Sequence, residues 1–201
     1  MRLIATSLAA LALLSTPAFA QSTPTALGGG DGISGLVLGA TAGNYCQLGQ
    51  VNSTNVQATN ATATTPTGNT SDVNLAINLQ DVNDNIAPWS ANITIPNSVC
   101  NHAYSLTVQS TYGGLHYVGS ENGPTNFSTN VPYTVQATFG TGVSVNQSST
   151  ALQSRGVSSS NASAYAGSAT IVLTGAQDTT KYLLQGSYSD VGVVTIGPRV
   201  S

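Results

Sequence analysis

Apolar and polar residues alternate along much of this chain, and the pattern is most regular just after the second cysteine. Tyr104, Leu106 and Val108 occupy every second position there, with polar residues between them. A period of two is typical of a β-strand with one buried face and one solvated face. The pair Gly113-Gly114 then indicates a turn. We therefore predict a core strand followed by a reversal of the chain.

The same alternation predicts further strands on both sides of this one. They are expected at residues 36–48, 73–79, 93–95, 131–139, 169–173, 182–184 and 187–197. Residues 49–71 are polar and low in complexity, which predicts a long exposed loop or an edge hairpin. Residues 140–167 are rich in Ser, Gly and Asn and are expected to hold one irregular strand. About seven or eight short strands with polar turns predict an all-β, antiparallel β-sandwich.

The first twenty residues have the pattern of a secretory signal peptide. Arg2 precedes an apolar run at residues 3–14, and Ala18-Phe19-Ala20 forms a small-x-small cleavage site. The run is too short for a membrane span and is followed by Pro17. We expect residues 21–35, which are rich in glycine, to form a flexible tail. Residues 36–201 are then the single β-sandwich domain, without membrane insertion.

Charge is scarce, and this narrows the class of protein. Only 5% of the residues are charged. Without the signal peptide, three basic and seven acidic residues remain. Three cations cannot form the basic face that a nucleic-acid-binding protein needs. Low charge also removes the usual protection against association of sheet edges, which suits a protein that assembles.

Two cysteines, Cys46 and Cys100, remain after the predicted signal peptide is removed. A small, even number of cysteines in an exported chain favours a disulfide. The alternative is two separate thiols. A zinc site would need more ligands than these cysteines and the two histidines, His102 and His116, supply at their spacing.

The order of these motifs resembles that of a known family. The second cysteine precedes Y-S-L-T-V-Q-S and G-G-L, then V-P-Y-T-V follows, and the chain closes with G-S-Y-S-D-V-G-V-V-T-I. This order is similar to that of pilin subunits of the chaperone–usher pathway, in the spore coat U-like, archaic-pilus branch. The most specific piece is G-x-Y-x-D, at Gly186, Tyr188 and Asp190.

The resemblance implies an immunoglobulin-like sandwich that lacks one strand and is completed by a donor strand from a neighbouring subunit. It implies a non-catalytic structural subunit of a surface fibre, with no cofactor. Its partners would be other pilin-like subunits, a periplasmic chaperone and an outer-membrane usher of a Gram-negative bacterium. Residues 21–35 would be the donor segment. The implied groove residues are Tyr188, Val191, Val193, Val194 and Ile196.

Three features depart from the family pattern, and one of them is the long Thr/Asn loop at residues 49–71. A donor strand should alternate large apolar residues, but residues 21–35 offer only Ala26, Leu27 and Ile33 among glycines. Gly192 interrupts the final strand, where a branched residue is expected. A tip subunit and a self-complete sandwich are therefore open alternatives to a shaft subunit.

A stand-alone secreted or periplasmic binding module, for carbohydrate or calcium-dependent adhesion, is the main alternative function. Asp81, Asn83, Asp84 and Asn85 match the D-x-N-D-N linker of cadherins, whose oxygen atoms can coordinate calcium. The same residue types also form turns through local hydrogen bonds.

Two further groups of side chains bear on function. Aromatic side chains can stack on a sugar or can belong to the core and rim. The aromatic candidates are Tyr45, Trp89, Tyr112 and Tyr117. His102 and His116 are candidates for catalysis or for structural hydrogen bonds. The chain lacks the G-x-S-x-G motif that would expose a serine nucleophile, so we predict no enzyme.

Overall fold

Regular structure in the computed structural model is almost entirely β-strand. The structure describes residues 42–65, 72–119 and 123–199. The predicted signal peptide, the predicted tail and residues 36–41 of the predicted first strand lie outside these ranges. Within them, no helix is long and apolar enough to cross a membrane.

The described residues contain seventeen strand segments and one 3-10 turn at Ser53–Asn55. The first nine strands are β1 (Cys46–Gln47), β2 (Val56–Thr59), β3 (Ala61–Thr64), β4 (Asn74–Ile77), β5 (Asn85–Ile86), β6 (Trp89–Cys100), β7 (Tyr104–Ser110), β8 (Leu115–Tyr117) and β9 (Phe127–Ser128). The other eight are β10 (Asn130–Val131), β11 (Thr134–Phe139), β12 (Ser144–Ser148), β13 (Val157–Asn161), β14 (Tyr165–Gly175), β15 (Asp178–Leu183), β16 (Tyr188–Ser189) and β17 (Gly192–Pro198).

The largest sheet is built around the two longest strands, β6 and β14, which pair antiparallel over most of their length. Its order is β1-β6-β14-β11-β12, and β2 also pairs with β6. Along β6 the residues Trp89, Ala91, Ile93 and Ile95 are buried. This period of two places one face of the sheet in the core.

A second sheet has the order β13-β7-β17, and all its pairings are antiparallel. In the central strand β7, Tyr104, Leu106 and Val108 are buried while the residues between them are more exposed. The predicted alternation after the second cysteine is confirmed. Three smaller sheets have the orders β10-β8-β16, β5-β15-β9 and β3-β4.

The inner faces of the two larger sheets contribute to one hydrophobic core. Ile93 and Ile171 come from the first sheet, and Leu106 and Ile196 come from the second. Tyr104 is fully buried, and its hydroxyl donates a hydrogen bond to the carbonyl oxygen of Phe139 at 2.9 Å. The described part of the chain is therefore all-β, with several antiparallel sheets, and its packing is consistent with a β-sandwich.

The predicted disulfide between Cys46 and Cys100 is present. The two residues lie directly opposite each other where β1 pairs with β6, with a Cα–Cα distance of 4.1 Å. Strand β1 has only two residues, and the residue before it adds hydrogen bonds to the end of β6. The Asn101 N–H donates to the Tyr45 carbonyl oxygen at 3.1 Å, and the Tyr45 N–H donates to Asn101 Oδ1 at 2.8 Å. The covalent bond and these hydrogen bonds together attach this strand to the first sheet.

Several strands differ in extent from the sequence prediction. The predicted strand at 93–95 is part of the longer β6, and residues 140–167 hold two complete strands, β12 and β13. Within 131–139, Pro132 separates β10 from β11 because proline has no backbone N–H to donate. The polar stretch 49–71 contributes β2 and β3. The predicted count of seven or eight strands is not confirmed. The described part of the chain has seventeen strand segments, and several of them have only two residues.

Candidate functional site

An apolar groove of about 680 Å³ opens between the first sheet and strand β17. Its floor is formed by side chains of the first sheet and of β7. These floor residues are Trp89, Ile93, Ile95, Val108, Val135, Ile171 and Leu173. The lining also includes Leu48, residues 72–75 and 77, and residues 190–194. The groove is thus an opening into the core itself.

Strand β17 forms one wall of this groove and has a free edge. It pairs with β7 from Gly192↔Ser110 to Pro198↔Tyr104. On its other side, no strand within 42–65, 72–119 or 123–199 pairs with it. An unpaired strand edge presents a row of N–H and C=O groups that another extended chain can pair with.

Two valines mark the open side of β17. The exposed fraction is 57% for Val191 and 48% for Val193, which is high for branched apolar side chains. Val194 is half-buried and also lines the groove. An apolar groove beside an unpaired strand edge can therefore bind an extended polypeptide through both its backbone and its side chains.

The five predicted groove residues do not all lie in this groove. Val191, Val193 and Val194 line it, whereas Ile196 is buried in the core. Tyr188 lies in the adjacent strand β16, where its hydroxyl donates a hydrogen bond to the carbonyl oxygen of Ser128 at 2.8 Å. The backbone N–H of Leu184 donates to the same hydroxyl at 2.9 Å. Tyr188 therefore links Leu184 and Ser128 through hydrogen bonds to its hydroxyl.

The carboxylate of Asp190 fixes the position where β17 begins. Its Oδ1 accepts hydrogen bonds from the backbone N–H groups of Tyr112 at 3.0 Å and Val191 at 2.7 Å. Its Oδ2 accepts hydrogen bonds from three further donors. They are Ser110 Oγ at 2.6 Å, the Gly114 N–H at 3.2 Å and the Tyr133 hydroxyl at 2.9 Å. One carboxylate thus joins the end of β7, the glycine turn and the chain before β11 to the start of β17.

Tyr133 links this carboxylate to the groove. Burial, and then the negative charge of Asp190, raise the pKa of Tyr133 well above its ordinary value of 10.0. The phenol therefore stays protonated and remains a donor to Asp190. Its ring lies 5.7 Å from the ring of Trp89, which forms part of the groove floor.

The glycine turn needs both of its glycines. Gly113 and Gly114 have φ angles of 72° and 151°, which residues other than glycine rarely adopt. A Cβ on Gly114 would lie 2.0 Å from Asn130 Oδ1. The turn can therefore bring its N–H groups close to Ser110 and Asp190 only with glycine at these positions.

The predicted calcium residues form a turn before β5. Asp81 Oδ1 accepts hydrogen bonds from the N–H groups of Asn83 at 2.8 Å and Asn85 at 3.0 Å. Asp84 has a φ of 63° and accepts a hydrogen bond from Gln80 Nε2. In the part of the chain that the structure describes, no three His, Cys, Asp or Glu side chains form a metal-binding group. These contacts are those of an Asx turn.

The two histidines lie in different places, and His116 contacts one of the aromatic candidates. His102 Nε2 is 3.9 Å from Cys46 Sγ, and its other ring nitrogen contacts the carbonyl oxygen of Ala103. His116 is exposed and stacks on Tyr112 at 5.7 Å. The other three aromatic candidates differ in burial. Trp89 and Tyr117 are buried, whereas Tyr45 is exposed.

Sequence reasoning did not find the role of Asp190, although it singled out the motif that contains it. The signal available was an acidic residue inside the predicted strand 187–197, in a chain with seven acidic residues. Comparison of the chain with protein-family models, with curated proteins and with solved structures finds no match. The geometry of the groove therefore carries the functional argument.

Proposed function

We propose that this chain is a non-catalytic structural subunit of a surface fibre, and that it assembles by β-strand complementation. The observation that carries the proposal is the open apolar groove beside the unpaired edge of β17. On this interpretation the domain is an immunoglobulin-like sandwich that lacks one strand. A segment of a neighbouring subunit supplies the missing strand by β-augmentation.

The dimensions of β17 support this mode of binding. Its seven residues span about 23 Å at a rise of roughly 3.3 Å per residue. A strand paired with this edge directs alternate side chains toward the groove where Gly192, Val193 and Val194 line it. Each buried Val, Leu or Ile side chain contributes about 1.5–3 kcal/mol, before the cost of ordering the segment. Complementation over this length can therefore hold subunits together without a covalent bond.

The remaining features fit the same function. A groove that opens into the core promotes aggregation unless it is covered, so a periplasmic chaperone and an outer-membrane usher are the partners that this function needs before assembly. The disulfide is compatible with export to an oxidising compartment. No cofactor enters this function. We propose the periplasm in transit, and then the cell surface, as the location of the chain.

A charge on the edge of β17 is expected to block assembly without unfolding the subunit. Val193 is 48% exposed, so Val193→Asp leaves its carboxylate in water in the free chain. In the fibre the inserted strand would lie beside this carboxylate and remove part of its hydration, which costs free energy. We expect at least about tenfold less of the chain in surface fibres, the equivalent of about 1.4 kcal/mol or more. Immunogold electron microscopy and quantitative blotting of sheared surface material measure the amount of the chain in fibres.

Val118→Asp is the matched control, because Val118 is 64% exposed and lies outside the groove lining. Both variants should melt within a few degrees of the unmodified chain. If Val193→Asp and Val118→Asp enter fibres equally well, the edge of β17 is not an assembly surface. If the unmodified chain forms no fibre and remains a stable monomer, the stand-alone binding module is the better interpretation.

A further inference from the structure

The hairpin formed by β3 and β4 contributes to the groove lining but belongs to neither of the two larger sheets. Within the described ranges, β3 and β4 pair only with each other. No residue of either strand is buried, and half-buried positions alternate with exposed ones. Segments with few buried contacts open at a lower free energy than the core of a domain. The β3–β4 hairpin is therefore a part of the groove lining that can move while the core stays folded.

Apolar side chains of this hairpin divide the space beside the end of the chain. Val73, Leu75 and Ile77 line the groove. Leu75 and Ile77 also line a second cavity of about 600 Å³, whose lining includes residues 183–188. Among the described residues, these two are the only ones that line both cavities. They therefore form the wall between the groove at residues 190–194 and the second cavity at residues 183–188.

We infer that the β3–β4 hairpin is an autoinhibitory strap, which occupies part of the binding cleft in the free chain and is displaced when an extended segment pairs with β17. This inference rests on the proposed function and adds its regulation. An extended segment that follows the chain from residue 194 back to residue 183 has to pass the place that Leu75 and Ile77 hold. Displacement of these two side chains joins the groove and the second cavity into one continuous cleft.

The base of the hairpin supplies a hinge. Strand β2 stays paired with β6 in the first sheet, and Asn60, between β2 and β3, has a φ of 54°. Asparagine tolerates this left-handed conformation. The Asn60 carbonyl oxygen accepts a hydrogen bond from the Asn78 N–H at 2.8 Å, and Asn60 Nδ2 donates to the carbonyl oxygen of Pro88 at 2.8 Å. Rotation at Asn60 and Asn78 can therefore move β3 and β4 as one unit.

The contacts that hold the strap can be exchanged for those of an incoming strand. Val73 and Ile77 pack half-buried against the core, whereas Leu75 is half-buried and lines the two cavities. The strap supplies these side chains but no backbone pairing to β17, which pairs only with β7 in the described part of the chain. A partner strand supplies both kinds of contact. The strap thus shields the groove before assembly and yields to a partner strand.

The reactivity of a thiol at position 75 tests this inference. Leu75→Cys places the thiol at the wall between the two cavities. Thr62→Cys is the matched control, because Thr62 is exposed on β3 and lies outside both cavity linings. The native cysteines are joined in the disulfide, so the introduced thiol is the one that reacts with a maleimide. The rates are measured in the isolated chain from Gln21 onward and in fibres sheared from the cell surface.

We expect Leu75→Cys to react at least about fivefold more slowly than Thr62→Cys in the isolated chain, and as fast as Thr62→Cys in fibres. If Leu75→Cys stays slow in fibres that contain it, the hairpin is not displaced, and the inference is overturned while the proposed function stands. Equal rates in the isolated chain would also overturn the inference, because the hairpin would not occupy the cleft. If the unmodified chain forms no fibre, the proposed function fails and the inference fails with it.

Discussion

Replacement of both Cys46 and Cys100 with serine is expected to lower the free energy of unfolding by about 4 kcal/mol. The disulfide closes a long loop, with a sequence separation of 54 residues, and so restricts the unfolded chain. It also helps to fix the two-residue strand β1 against β6. Urea-induced unfolding, followed by Trp89 fluorescence, measures the difference.

Reduction of the disulfide in the unmodified chain is the control for this prediction, since it removes the same covalent bond without a substitution. The reduced chain and the double serine variant should unfold at similar urea concentrations. A loss below about 1 kcal/mol in both would show that the bond contributes little, and that β1 is held by its packing.

The second large effect is expected from Asp190→Asn, which should destabilise the fold by about 3 kcal/mol. Both oxygen atoms of this carboxylate accept hydrogen bonds, two at Oδ1 and three at Oδ2. An asparagine amide places an NH₂ group against donors in either orientation. At least two donors therefore lose their acceptor. They are the Tyr112 and Val191 N–H groups in one orientation, and in the other they include the Gly114 N–H. Chemical unfolding in urea measures the loss.

Asp84→Asn is the matched control for this substitution. Asp84 is exposed in the turn before β5 and has a positive φ, which asparagine tolerates. Its one side-chain hydrogen bond, from Gln80 Nε2, can be kept by the amide oxygen. We expect little change in stability. Equal stability of Asp190→Asn and Asp84→Asn would mean that the donors around Asp190 find other acceptors.

Alternation predicted those strands whose two faces differ in burial. Strand β7 and the central part of β14 fall where the period of two placed them, because one side of each meets the core. The ends of β6 could not be predicted this way. It continues through Pro96 and Asn97, and Asn97 has a φ of 55°, so the local pattern is interrupted while pairing with β14 resumes beyond it.

The site was harder to predict than the strands. The donors to Asp190 come from β7, the glycine turn and Tyr133, which are far apart along the chain. No local sequence pattern links these donors to Asp190, because it is the topology of the sheets that brings them together. For the same reason Val191, Val193 and Val194 could be identified as groove residues only through the family resemblance, while Tyr188 and Ile196 lie elsewhere.

Low charge and the open groove have a common physical consequence. Natural β-proteins protect free edges with charged residues, bulges or covering loops. Here the edge of β17 carries Val191 and Val193, and the described basic residues lie outside the groove lining. An edge of this composition promotes aggregation of a monomer, and it allows strand pairing in an assembly.

Hydrogen exchange at the backbone amides of β17 tests the central claim most directly. In the isolated chain, the amides of residues 192–197 that point away from β7 should exchange rapidly, because antiparallel pairing uses only alternate residues on each side. In fibres recovered from the cell surface, we expect those amides to exchange at least about tenfold more slowly. Equal exchange in the isolated chain and in the fibre would contradict the account.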